Sequence, residues 1–312
     1  MDTATLTDAL RGLDAEALSW KFALYVSRKG RDGVELEWYL CNMQDIPGLV
    51  NLIREYLLKK PAADKPVARY SPFLSDKEHI AALENSSEMI HAPLTDMRMS
   101  IRNGRVYPPQ DFISGKLPKT AGYAFYGEYA RAENEPPDPV LFMRRGSPFL
   151  TGALLFRGTP AGVALNDAPV VKLSASVDFL SIKGVSYIFS ASVENDLAFE
   201  NRHIAIAEKY LGKIAAAEII SGYDRFEQTV MKIKNARKFL AFNEEILDYI
   251  TGLPITDRAA YLEKFGVELD PAGRMDAYEA SQSELIIDLL CGRSCLDPLN
   301  RLSVGSHITP RE

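Results

Sequence analysis

Hydrophobic residues follow two different spacings along the chain, and the change between them falls near residue 195. Up to that point most apolar positions recur every second residue in short runs, the period of a half-buried strand. Beyond it they recur every third or fourth residue, the period of an amphipathic helix. The first segment is an exception. Leu6, Leu10, Leu13 and Leu18 form a helical stripe over residues 3–18, with Thr3, Thr5 or Thr7 placed to cap it. WKFALYVSRKGRDGVELEWYLC then alternates around a Gly-containing turn, with Phe22, Leu24 and Val26 on one face, which predicts a β-hairpin. DIPGLVNLIREYLLKK predicts a second helix, its apolar side carrying Leu49, Ile53, Tyr56 and Leu57 and its basic end suited to the helix dipole.

Prolines and polar spacers mark residues 61–72 as a loop. SDKEHIAALENSSEMIH predicts a short helix capped by Ser75. Residues 107–119 and 132–139, the latter holding NEPPDP, are further breaks. Around them lie the strand-like runs AGYAFYGEY, VLFMRR, TGALLFRG, VVKLSASVDFLSI and VSYIFSA, whose short connections point to antiparallel pairing. After residue 195 four helical stretches follow: DLAFENRHIAIAEKYLGKIAAAEIIS, DRFEQTVMKIKNARKFLAFNEEILDYI, TDRAAYLEKFG and MDAYEASQSELIIDLLC. The last residues, VGSHITPRE, have the character of a tail. Strands first and helices afterwards predict an α+β chain, a mostly antiparallel sheet followed by a helical C-terminal part. The organisation expected is an N-terminal α/β region over residues 1–115 and a sheet-plus-helix domain over residues 116–312.

Composition adds little to that frame. With 312 residues, 46% hydrophobic and 25% charged, the chain can bury one large core or two ordinary ones. Three cysteines, Cys41, Cys291 and Cys295, make no disulfide framework, and a reducing cytoplasm fits them. Cys291 and Cys295 lack the second ligand pair that zinc requires. No apolar run reaches the length of a bilayer span, and the acidic N-terminus is no secretory signal.

The common signatures of catalysis are missing: GxxxxGK[ST], GxGxxG, GxSxG and HExxH do not occur. The four histidines, His79, His91, His203 and His307, form no ligand set, and His203 falls beside an apolar stripe, as a structural histidine would. VDFLSIKGVSYIFSASVENDLAFE raises one catalytic possibility. Asp178 and Lys183 flank the Gly184 turn and Glu200 follows, which suggests a metal-dependent nuclease. The strand VSYIFS supplies no acid to complete it, and the structural alternative has Asp178 accepting backbone hydrogen bonds or an arginine. In that alternative Asp196 caps the next helix and Glu200 stands in its first turn. No cofactor is expected.

Charge distribution is more informative. The chain is −6 overall, yet residues 202–238 carry eight basic and four acidic side chains, a local +4 against −10 elsewhere. On a helix Arg202, Lys209 and Lys213 fall within roughly 40° of one another. Lys234, Arg237 and Lys238 fall within roughly 100° on the next, opposite Ile233, Phe239, Leu240, Ile246 and Leu247, with Lys232 nearer the apolar stripe. Such a face is commonly just solvated, but a polyanion turns its self-repulsion into attraction. These seven residues are the candidate DNA contacts, and Lys234→Glu with Lys238→Glu is expected to abolish DNA retention with the fold intact.

The order of features in residues 120–300 resembles the uncharacterised-domain family that includes KwaB, the cytoplasmic subunit of the Kiwa anti-phage defence system. The features are a strand ending at Asp178, the Gly184 turn, Tyr187-Ile188-Phe189, a long helix opened by Phe199-Glu200, the basic KIKNARKFLAF and the late helix SELIIDLLCGRSCLDPLN. The resemblance implies a non-enzymatic, DNA-binding effector of bacterial defence that acts on phage double-stranded DNA. It also implies a KwaA-like transmembrane partner that would hold a cytoplasmic protein at the inner membrane. Overall acidity departs from a committed DNA binder, and a homo-oligomer aligning several basic faces would offset it. The alternatives are a metal-dependent nuclease or a protein-only scaffold.

Overall fold

The computed structural model describes residues 3–30, 33–43, 45–60, 64–71, 77–108, 119–129, 139–146, 156–159, 162–165, 173–292, 294–296 and 302–304. The proposed Ser75 cap, the proline-rich loop around residues 132–138, the tail and His307 lie outside these residues. The chain divides into two compact units, Met1–Tyr70 with Leu74–Phe199 and Ser71–Phe73 with Glu200–Glu312. It is an α+β protein, with ten α-helices among the described residues.

The first unit is built on a nine-stranded sheet. Its strands are β1 (Leu18–Gly30), β2 (Gly33–Cys41), β3 (Val67–Arg69), β4 (Ile80–Glu84), β5 (Val106–Tyr107), β6 (Gly122–Tyr129), β7 (Val140–Arg145), β10 (Phe179–Ile182) and β11 (Val185–Ile188). A separate hairpin pairs β8 (Phe156–Thr159) with β9 (Gly162–Leu165). The sheet order is β3-β4-β11-β10-β7-β6-β1-β2-β5, antiparallel throughout except for the two short edge strands β3 and β5. The division expected at residue 115 runs through this sheet, since residues 18–25 of β1 pair with β6.

Alternation along the strands sorts their side chains. Phe22, Leu24 and Val26 of β1 pack with Phe125, Phe142 and Leu180 on one face. That face is covered by helix α1 (Thr3–Arg11), through Leu6 and Leu10, and by α2 (Ile46–Lys59), through Val50, Ile53 and Leu57. Tyr25, Tyr126, Met143 and Ser181 point the other way, towards α3 (His91–Asn103), whose Leu94, Met97 and Ile101 are buried. Covering on both faces explains why β6 and β7 are almost wholly buried and read as continuous apolar runs.

Two expectations change here. The stripe beginning at Leu6 ends as a helix at Arg11, and Leu18 opens β1 instead. Residues 80–84, expected in a helix, form β4 because β11 offers them an antiparallel partner, Ser186 opposite Leu83 and Tyr187 opposite Ala82. At the other end of β11, Lys183 and Gly184 both take positive φ, 48° and 76°, the signature of a two-residue turn whose twist suits a hairpin.

The second unit is helical. It contains α5 (Phe199–Ala216), α6 (Tyr223–Val230), α7 (Ile233–Ala236), a 3-10 turn (Arg237–Ala241), α8 (Glu244–Gly252), α9 (Ile255–Glu263) and α10 (Ala280–Leu290). Phe226, Val230, Phe239, Ile250, Leu262, Ile286 and Ile287 are among its fully buried apolar side chains. β12 (Ile220–Ser221) and β13 (Met275–Asp276) pair in parallel within it, and β14 (Ser294–Leu296) pairs with β15 (Leu302–Val304).

Candidate nucleic-acid interface

The single helix expected over residues 224–250 is four pieces, and this rearranges the basic face. Lys232 is extended, with φ −68° and ψ 128°, so α6 stops before it and α7 starts after it. The buried Asn235 holds the break: its side-chain amide donates to the Thr229 carbonyl at 2.9 Å, occupying an acceptor at the end of α6. Without a continuous helix, Lys232, Lys234, Arg237 and Lys238 have no common helical phase.

Their environments differ accordingly. Lys238 is buried, only 5% exposed, and its ammonium donates to Asp288 of α10 at 2.6 Å. A buried cation that loses its partner is costly, so Lys238→Glu would place like charges together in the core and unfold the region rather than test a surface. Lys234 is exposed and reaches Glu284 at 3.6 Å. Arg237 is half-buried, and its charge helps hold the imidazole of buried His203 neutral. Lys232 is exposed.

The first basic helix forms as expected. α5 runs unbroken for 18 residues, Glu200 stands in its first turn and Lys213 in its last. Arg202 is half-buried, while Lys209 and Lys213 are exposed. At 1.5 Å per residue the three cations mark a ridge about 16 Å long. Lys213 also meets Glu244, the first residue of α8, at 2.6 Å. Both members of that pair are well exposed, so the bond is worth little and is easily exchanged.

Beside the two lysines stands Tyr210. Its ring stacks on Phe242 with centroids 4.4 Å apart and planes 27° from parallel. Phe242 lies nearly parallel to Phe239, 7° and 5.7 Å, and Phe239 is fully buried. The three rings form a column rooted in the core and ending at half-exposed Tyr210. The ammonium groups of Lys209 and Lys213 lie over the Tyr210 ring, 5.7 and 5.6 Å from its centroid. Phe242 follows the basic segment as a mere apolar residue in the sequence; only the fold, which stacks it on Tyr210 of α5, gives it this place.

The charge asymmetry of the sequence is partly internal. Residues 239–312 carry thirteen acids against six bases. Glu244, Glu284 and Asp288 from that segment meet Lys213, Lys234 and Lys238. Lys209, Lys213, Arg225, Lys232 and Lys234 remain exposed, with Arg202 half-buried beside the first two.

Asp178 is occupied structurally. Its Oδ1 accepts from Arg144 Nη1 at 2.8 Å and its Oδ2 from the Arg145 backbone N–H at 2.6 Å. Its own carbonyl accepts from the Phe189 N–H, so the residue ties β7 to the end of β11. Asp196 does not cap α5. It ends the short helix α4 (Ser192–Asp196), and Ala198, with φ 52°, separates the two helices. Its side chain is fully buried and accepts from the Tyr25 hydroxyl at 2.9 Å, with Arg145 Nε 3.8 Å away. Burial, more than any neighbour, pushes the Asp196 carboxyl upward and the Tyr25 phenol far above its usual range.

Among the described residues no group of three or more His, Cys, Asp or Glu lies close enough to hold a metal ion. Cys41 and Cys291 are buried free thiols, both pushed upward by burial, Cys41 to about 12. No helix among the described residues is long and apolar enough to cross a membrane. The site thus defines an α+β chain with an exposed basic ridge beside a rooted aromatic column. Comparison with family models, with curated proteins and with solved structures gave no match.

Proposed function

We propose that the chain is a non-enzymatic nucleic-acid-binding effector of bacterial anti-phage defence, holding DNA through α5. The observation that carries the reading is the ridge of Arg202, Lys209 and Lys213 on one unbroken helix. Lys232 and Lys234 are exposed and can add phosphate contacts; Lys238 is committed to Asp288. The defence setting, phage duplex DNA as the natural target, a KwaA-like transmembrane partner and attachment to the inner membrane through it all rest on the resemblance in residues 120–300. A homo-oligomer that brings several ridges together answers the net charge of −6.

The ridge contacts phosphates, which position a nucleic acid without reading its sequence. Arg202→Glu with Lys209→Glu should therefore weaken binding to unrelated duplexes alike, by about tenfold or more in a mobility-shift titration. The slope of log affinity against log salt should shrink by about 2. Unchanged retention by a double variant with wild-type circular dichroism would remove the assignment.

A further inference from the structure

The ridge includes a ring that phosphate contacts leave unused. Tyr210 lies beside the cation ridge of α5, next to Lys213 in helical phase, and is supported from behind by Phe242 and the buried Phe239. Phe242 covers one face of the tyrosine, and the ammonium groups of Lys209 and Lys213 lie over the ring, 5.7 and 5.6 Å from its centroid. No second aromatic ring stacks on the outer face among the described residues, and Tyr210 is half-exposed.

We infer that the outer face of Tyr210 is a stacking platform for an unpaired base, which makes single-stranded nucleic acid the preferred ligand at this position; the inference rests on the nucleic-acid reading above. The argument is one of rigid and mobile parts. The ring is already ordered by the column beneath it, so a base that lands on it immobilises little that was free. Lys213 can swing from the ring to a phosphate beside that base, exchanging a cation–ring contact for a charge-assisted hydrogen bond. Glu244 releases Lys213 readily, because both partners are exposed to water. A duplex can still meet the cations through its backbone, but its base faces are hidden in its own stack and cannot reach the ring. Stacking on a planar side chain is tolerant of base identity, so no sequence preference is expected.

The test is fluorescence anisotropy of the full chain with a labelled oligothymidylate of about 15 nucleotides, and with a duplex of the same length. Wild type should bind the single strand more tightly. Tyr210→Leu should weaken the single strand by about tenfold and change the duplex little. Tyr210→Phe should restore single-strand binding, as it keeps the ring and loses only the hydroxyl. A Tyr210→Trp chain supplies a second readout if the leucine variant folds poorly. Its added fluorescence, above that of Trp20 and Trp38, should be quenched by the oligothymidylate and not by the duplex. Duplex bound with no single-strand preference, or Tyr210→Leu weakening both ligands equally, overturns this inference and leaves the basic ridge standing. Binding of neither ligand by wild type overturns the nucleic-acid reading itself, and this one with it.

Discussion

His203 shows how much a single side chain is governed by contacts far away in sequence. It lies in α5, 3% exposed, and its pKa is pulled from 6.5 down to about 4, first by burial and then by the charge of Arg237. An imidazole depressed in the folded state and ordinary in the unfolded one gives the unfolded chain the greater proton uptake between pH 4 and 6.5. Stability therefore rises with pH across that interval and is lost as the pH falls through it, by an amount on the order of 3 kcal/mol. Urea titrations at several pH values should show this slope in the wild type and a flatter one in His203→Gln; parallel profiles would mean that the imidazole's burial goes unfelt. The buried character of His203 was legible, since it falls beside an apolar stripe. That of Lys238 was not. Helical phase put it with Lys234 on the outside, whereas the carboxylate that draws it inward, Asp288, is 50 residues further on.

Elements were legible where their partners are close in sequence. The β1–β2 hairpin and α2 follow from alternation, from turn residues and from an Asp45 side chain that accepts the Gly48 N–H. The Lys183–Gly184 turn follows from a glycine between two apolar runs, and it carries its own test. Gly184, at φ 76°, takes that conformation without the steric cost a Cβ would bring. Gly184→Ala should cost about 1 kcal/mol, while Lys183→Asn should cost nothing or gain a few tenths, because asparagine accepts positive φ. Equal losses in chemical denaturation would show that the turn geometry is not what the substitutions sense. Elements were misread where the deciding contact is remote. IAALE has no period long enough to separate helix from strand, and β11, which decides it, lies about a hundred residues away. Residues 224–250 keep a helical period through Met231 and Lys232, yet the buried Asn235 amide divides them. That division is also why the candidate interface contracted from two basic helices to one ridge.

For the molecule as a whole, charge and topology tell separate stories. The +4 of residues 202–238 suggests a strongly positive half, but three of its lysines meet acids from the following segment, and one of them, Lys238, is buried with its partner. The candidate site was thus half legible: the cations could be found in the sequence, their internal partners could not. Strand order bears on how the protein comes into being. β4 leaves the ribosome with no neighbour in the sheet except the three-residue β3, and its partner β11 begins at Val185. At ordinary rates of translation roughly 5–20 s separate the two. Throughout that interval the nascent chain carries an unpaired hydrophobic ribbon, so a holding chaperone would find its client here. Chains stalled on the ribosome before residue 185 should be cut by protease within residues 80–84, and chains stalled well beyond residue 188, with β11 clear of the exit tunnel, should resist.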